Sequence, residues 1–127
     1  MSKDIAIITT IYKTPLSKIV NLKNYKGFQT FVFEQEGRKD SGKKISNKLN
    51  LNFKYFFNKK NIGLSKSSNF LLEKVQSKYC LFTQPDIKIE RKNIIRLSKI
   101  LKNNKKAILV TPSLLKKKKR KDKQIKF

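Results

Sequence analysis

This 127-residue chain has no histidine and no tryptophan, and it has one cysteine, three prolines and four glycines. Without histidine there is no imidazole to activate a serine or cysteine nucleophile, and most zinc sites lose their usual ligand. The single cysteine, Cys80, excludes an internal disulfide. It lies inside an apolar run, where a thiol behaves as a small buried hydrophobe rather than a nucleophile. No run of about 18 or more apolar residues occurs, which argues against a membrane span. Asp4 precedes only a short apolar stretch with no small-residue cleavage site behind it, so a secretory leader is not expected and a cytoplasmic location is. The length predicts one compact domain with a single sizeable core.

Acidic residues are also scarce. Eight Asp and Glu face 32 Lys and Arg, for a formal net charge of +24. Alone, that charge points to nucleic acid or an anionic membrane. Yet 28 of the basic residues are Lys and only four are Arg, and Ile, Asn and Phe are abundant as well. All these favoured residues have A/T-rich codons, so base composition explains part of the excess. Arg, the usual residue for bidentate base and phosphate contacts, is the scarce one. Scattered Lys suits a solvated basic coat. A small Lys-rich RNA-binding protein stands as the alternative reading; it requires basic residues focused on one face with interleaved aromatics.

Alternation of strands and helices organises the chain. Ile5 to Ile11 is a continuous β-branched, apolar run, as in a strand buried on both faces of a parallel sheet. Thr14-Pro15 reads as a helix N-cap with Pro in the first turn. Phe28 to Phe33, Phe53 to Phe57, Tyr79 to Thr83 and Ala107 to Thr111 are predicted strands, with Glu34 to Gly37 a polar turn after the second. Arg38 to Asn50 shows no period and reads as loop with weak helical character. Leu64, Ser68, Leu71, Leu72 and Val75 recur at helical spacing and predict one buried face. Ile94, Leu97 and Leu101 predict a further amphipathic helix. Such alternation argues a parallel sheet with right-handed crossovers. Lys116 to Lys121 is a block of six basic residues, expected to be a disordered tail over residues 116–127. Attraction of that block to anionic phospholipid on the inner membrane face is the second reading, and RNA the third.

Two segments carry the functional signal. Asn61-Ile62-Gly63 is an Asn-x-Gly turn opening a helix that contains Asn69. Tyr79-Cys80-Leu81-Phe82-Thr83-Gln84-Pro85-Asp86 is an apolar strand running into Gln-Pro-Asp. Pro85 stops the hydrogen-bond ladder and leaves Asp86 at the carboxyl end of the strand, the end at which ligands bind in open α/β sheets.

This order of residues resembles the family 2 glycosyltransferases, in particular the rhamnosyltransferase-like members. Upstream, Ile5 to Pro15 is similar to the family's first strand and Thr-Tyr-Asn turn. Downstream, Ile94 to Leu115 is similar to its next helix and strand. The resemblance covers roughly residues 4 to 115, taken as the nucleotide-sugar-binding domain, 1–115. It implies a three-layer α/β/α, Rossmann-like, mostly parallel sheet of the GT-A type, the nucleotide-diphospho-sugar transferase fold, in truncated form. It also implies transfer of a hexose or deoxyhexose to a cell-surface glycan or a lipid-linked acceptor.

The same resemblance assigns residues. Asp86 matches the carboxylate that touches a divalent metal, Mg²⁺ or Mn²⁺, which neutralises the departing diphosphate. Gln84 stands where an acid or amide is usual. Glu34 matches the acid that accepts from the nucleobase, followed by Gln35, and Tyr12 matches the aromatic beside the base, after Thr10. Ile11 and Lys13 replace the family's Thr and Asn around Tyr12. Asn61 and Gly63 shape the loop into the helix, and Asn69 matches an Asn near the donor. A base for the acceptor's proton has no counterpart, since only Asp122 follows Pro112; Glu90 is the nearest carboxylate to Asp86 in sequence. The family's acceptor half is therefore expected to be missing, leaving a donor-binding half, a fragment that needs a partner, or an inactive relic that only binds nucleotide.

Overall fold

The computed structural model describes residues 2–116 and 123–126. The chain divides into two compact units, residues 1–89 and 90–127. The first is built on four parallel strands, β1 (Ile5–Tyr12), β2 (Gln29–Gln35), β3 (Lys54–Asn58) and β4 (Tyr79–Thr83), in the order β3-β2-β1-β4. Between them run α1 (Leu16–Ile19), continued by a 3₁₀ segment Val20–Tyr25, then α2 (Ser41–Leu49) and α3 (Leu64–Lys74). No helix among the described residues is long and apolar enough to cross a membrane.

Register fixes which side chain faces which layer. Tyr12 pairs with Gln35 and Thr10 with Phe33, while Ile8 pairs with both Phe31 and Phe82. Side chains alternate across a strand, so these residues share one face of the sheet, and Ile7, Thr9, Ile11 and Glu34 share the other. On the first face Ala6, Ile8, Phe31 and Phe33 pack with Leu71 of α3, and Phe70 stands edge-on to Phe33 and Phe56. On the second face lie Leu22 and Tyr25, both buried, and Gly42 of α2 sits against the Tyr55 ring. The result is helix, sheet, helix, with β1 and β2 buried between and the edge strands β3 and β4 half-buried to exposed.

Several expectations change. The second strand does not stop at Phe33; it runs through Gln35, and the reversal comes at Glu36, whose φ is +56°. Pro15, not Thr14, occupies the N-cap of α1. A helix, α2, forms where no period was legible. It buries only Gly42 and Leu49 and is supported by the Asp40–Lys44 ion pair at 2.7 Å and by Asn50, left-handed at φ +50°, at its end. The buried side of α3 is centred on Ser67 and Leu71, with Leu64 55% and Leu72 42% exposed.

The second unit holds α4 (Arg91–Asn103) and an antiparallel hairpin of β5 (Ser113–Lys116) and β6 (Lys123–Lys126). Ala107 to Thr111 is not a strand. A turn precedes it, with Ala107 N–H donating to Asn104 O, and Pro112, which has no N–H to donate, follows. Ile108 is left 97% exposed. A strand exists only through pairing, and here the pairing falls on Ser113–Lys116 instead. Lys116 of the basic block ends β5; the rest of the block and Asp122 lie outside the described residues.

Candidate functional site

The chain proceeds from β1 to β2 and β3 on one side and returns to β4 on the other. The carboxyl ends of β1 and β4 therefore flank a topological switch point, where loops diverge and leave a crevice. A cavity of about 460 Å³ lies at this end. Thr10, Tyr12 and Lys13 line it from the end of β1, with Thr14, Pro15 and Lys18 from the start of α1. Gln35 contributes from β2, Asn61 and Leu64 from the entry to α3, and Gln84, Pro85 and Asp86 from the turn after β4.

Five of the eight residues singled out in the sequence meet in this cavity: Thr10, Tyr12, Asn61, Gln84 and Asp86. Tyr12 is 44% exposed. Lys13 has φ +48°, a left-handed backbone, and its ammonium reaches back over the Tyr12 ring at 5.2 Å and toward Glu36 at 3.6 Å. Tyr12 first and Glu36 second hold the Lys13 pKa above the ordinary lysine value. Thr10 Oγ1 lies 3.0 Å from Ser67 Oγ, which joins the end of β1 to the first turn of α3.

Gly63 stands behind the rim rather than in the cavity. Its φ is +86°, and a Cβ there would meet nothing within 4 Å, so backbone conformation and not space calls for glycine. Gly63 N–H donates to Asn61 Oδ1 at 2.8 Å, an Asx turn that opens α3. Asn69 is exposed on α3 and does not line the cavity.

Glu34 is not brought to the cavity either. It stands on the opposite sheet face from Tyr12, where its carboxylate accepts from Tyr55 Oη and burial raises its pKa. The reason is the extension of β2. Once the strand continues through position 35, alternation sends Glu34 to one side and Gln35 to the side of Tyr12. A polar residue in register with Tyr12 was the signal, but reading it requires the β1–β2 register, which the sequence does not supply.

The Gln84–Asp86 turn is held from behind. Ile87 N–H donates to Gln84 O at 3.1 Å, closing a turn with Pro85 in its second position. Asn21 Nδ2 donates to Pro85 O at 2.8 Å, and Tyr25 Oη lies 3.2 Å from Thr83 Oγ1. Desolvation raises the Tyr25 pKa, so the phenol stays protonated. Neither Asn21 nor Tyr25 was legible as a supporting residue. Cys80 is half-buried and its thiol is pushed up to about 11 by burial, so it stays protonated at neutral pH.

Besides the hydroxyls of Thr10, Tyr12 and Thr14, the side-chain oxygens lining the cavity are the Asp86 carboxylate and the amide oxygens of Gln35, Asn61 and Gln84. Among the described residues no group of three or more His, Cys, Asp or Glu forms a metal cage. One carboxylate with neighbouring amides fits a hard cation only where ligand oxygens and water complete the shell. Asp86 is the only carboxylate lining the cavity among the described residues, which the cations Lys13 and Lys18 also line. An anionic ligand with an apolar, stackable end suits such a lining.

No known family profile and no curated protein matches this sequence. Among solved structures the chain is similar to S. aureus TarS, with a TM-score of 0.60 and 16% identity over 79% of this chain and 20% of that one. It is similar to TarS 1-349, at 0.60 and 18% identity over 79% of this chain and 32% of that one. TarS 1-349 in complex with UDP gives 0.61 and 16% identity, with the same coverage. The chain thus spans a third or less of the length of these proteins. At such identities the likeness is one of fold, and the parallel sheet with its flanking helices is the GT-A architecture.

Proposed function

We propose that this chain is a glycosyltransferase-type domain that binds a nucleotide-diphosphate sugar at the switch-point cavity. One observation carries the reading: Tyr12 and Asp86, far apart in sequence, line the same cavity at the carboxyl ends of adjacent parallel strands. The fold likeness to TarS, one of whose structures is a complex with UDP, supports the same ligand class. In this reading the Tyr12 ring packs against the base, Lys13 and Lys18 attract the diphosphate, and Asn61 and Gln84 offer amides to the ribose or sugar. Asp86 would hold Mg²⁺ or Mn²⁺, which when bound neutralises charge on the diphosphate. The sugar is a hexose or deoxyhexose and the acceptor a cell-surface glycan or glycolipid, following the sequence resemblance. Contact of the basic block with the inner membrane face belongs to the same proposal.

The test is calorimetry with UDP and with thymidine diphosphate, with metal and with excess chelator. Binding is expected only with Mg²⁺ or Mn²⁺. Asp86→Ala, an exposed position, is expected to weaken metal-dependent binding at least about tenfold, a loss of ~1.4 kcal/mol, without change in circular dichroism. Equal affinity in chelator would remove the metal from the proposal. Absence of nucleotide binding under every condition would remove the donor.

A further inference from the structure

The cavity has a residue that does not resemble a ligand group. Gln35 is 3% exposed, yet it carries a full amide at the end of β2. Both ends of that amide are used on one loop. Ile62 N–H donates to Gln35 Oε1 at 2.9 Å, and Gln35 Nε2 donates to Gly63 O at 2.9 Å. Reversing the amide would set donor against donor and acceptor against acceptor, so the loop accepts one orientation. The backbone it grips lies between β3 and α3, where no strand ladder serves the Ile62 N–H, while Gly63 O also accepts from Ser67 N–H at 3.2 Å and Ser67 Oγ at 2.9 Å at the start of α3. The same loop contains Asn61 and leads into Leu64, which line the cavity, and its conformation depends on the left-handed Gly63.

We propose that Gln35 is the positioning residue of the nucleotide site, holding the Asn61–Gly63 turn so that Asn61 meets the ligand. This rests on the donor reading above. Gln35 acts through the turn and not by touching nucleotide. A glutamine is the right length: its reach spans from the strand to the backbone of two successive residues, whereas asparagine is one methylene short. The strand end is held by pairing with Tyr12, so the turn is fixed to the sheet.

The experiment compares the whole chain with Gln35→Leu, which removes both bonds, and Gln35→Glu, which keeps the acceptor for Ile62 N–H and loses the donor to Gly63 O. Amide exchange of Ile62 and Gly63 is followed by NMR without nucleotide, and UDP affinity is measured with Mg²⁺. In Gln35→Leu the Ile62 amide is expected to exchange at least about tenfold faster, and UDP to bind about tenfold more weakly. Gln35→Glu is expected to fall between Gln35→Leu and the wild type in affinity, and it carries the test if the Leu variant does not fold. Because the effect passes through the turn, Gln35→Leu should add little to the loss already caused by Asn61→Ala. Faster exchange with unchanged affinity overturns the inference. So does weaker binding with unchanged exchange and full additivity with Asn61→Ala, since Gln35 would then touch the ligand itself. A wild-type chain that binds no UDP overturns the donor reading and this inference with it, whereas wild type and variants binding alike overturn this inference alone.

Discussion

Two residues that end strands, Lys13 and Glu36, hold left-handed backbones at φ +48° and +56°. Each follows the last residue of its strand, and the strands are neighbours, so two non-glycine reversals stand side by side, with Lys13 lining the cavity. The left-handed region costs an ordinary side chain about 1–2 kcal/mol, and Asn tolerates it better. Their ion pair, at 3.6 Å on the surface, returns little of that. Lys13→Asn is therefore expected to raise stability by roughly 0.5–1 kcal/mol in urea unfolding. An unchanged or lower midpoint would mean that the contacts of Lys13 with Tyr12 and Glu36 outweigh the backbone term. The resemblance to a Thr-Tyr-Asn turn had already marked Lys13 as a departure; the positive φ supplies the physical reason an Asn would suit the position.

At the scale of elements, α2 is the least predictable piece and the most exposed to a single change. Its contact with the sheet is a close approach. A Cβ on Gly42 would stand 2.2 Å from Tyr55 Cγ, and the ring beyond it stacks on Phe57. The ring cannot retreat without releasing the Tyr55 hydroxyl from Glu34. Gly42→Ala is expected to cost about 1–3 kcal/mol, the range for overpacking a filled contact. A cost under ~0.5 kcal/mol, in the range of surface substitutions, would show that α2 swings aside freely. By contrast β1 was legible from its continuous apolar run, which is buried from Ile5 to Thr9, and α3 from the helical spacing of its apolar residues. The exact buried side of α3 was not. Ser67 takes a central place through its bonds to Thr10 and the helix carbonyls, which no hydrophobicity pattern weighs.

For the whole molecule, the charge of +24 and the placing of the aromatics point in different directions. Tyr25, Phe28, Phe31 and Phe33 are buried in or against the sheet, where they build a core rather than a stacking platform. That favours the nucleotide-sugar reading over a Lys-rich RNA binder. The chain spans 32% of TarS 1-349, and Asp86 is the only carboxylate lining the cavity among the described residues. If Asp86 holds a metal, no second carboxylate is left there to take an acceptor's proton. This chain alone is expected to bind nucleotide-sugar donors without transferring the sugar, as followed by mass detection of products with lipid and oligosaccharide acceptors. Robust turnover would require a base that this cavity does not provide, with Glu90 the first to substitute by Gln.

The sequence by itself determined the class of fold and the two segments that meet at the site. Apolar runs bounded by Gly, Pro and Asn set strands and helices locally, and Pro85 ends β4 wherever that strand is placed. Only the tertiary structure decided which neighbouring residues serve the cavity. Glu34 and Gln35 are adjacent in the chain, and nothing local separates their roles. The pairing of Tyr12 with Gln35 turns one into the cavity and the other toward Tyr55. Ala107 to Thr111 failed as a strand for the same reason: local propensity proposes a strand, but a hydrogen-bonded neighbour is what makes one.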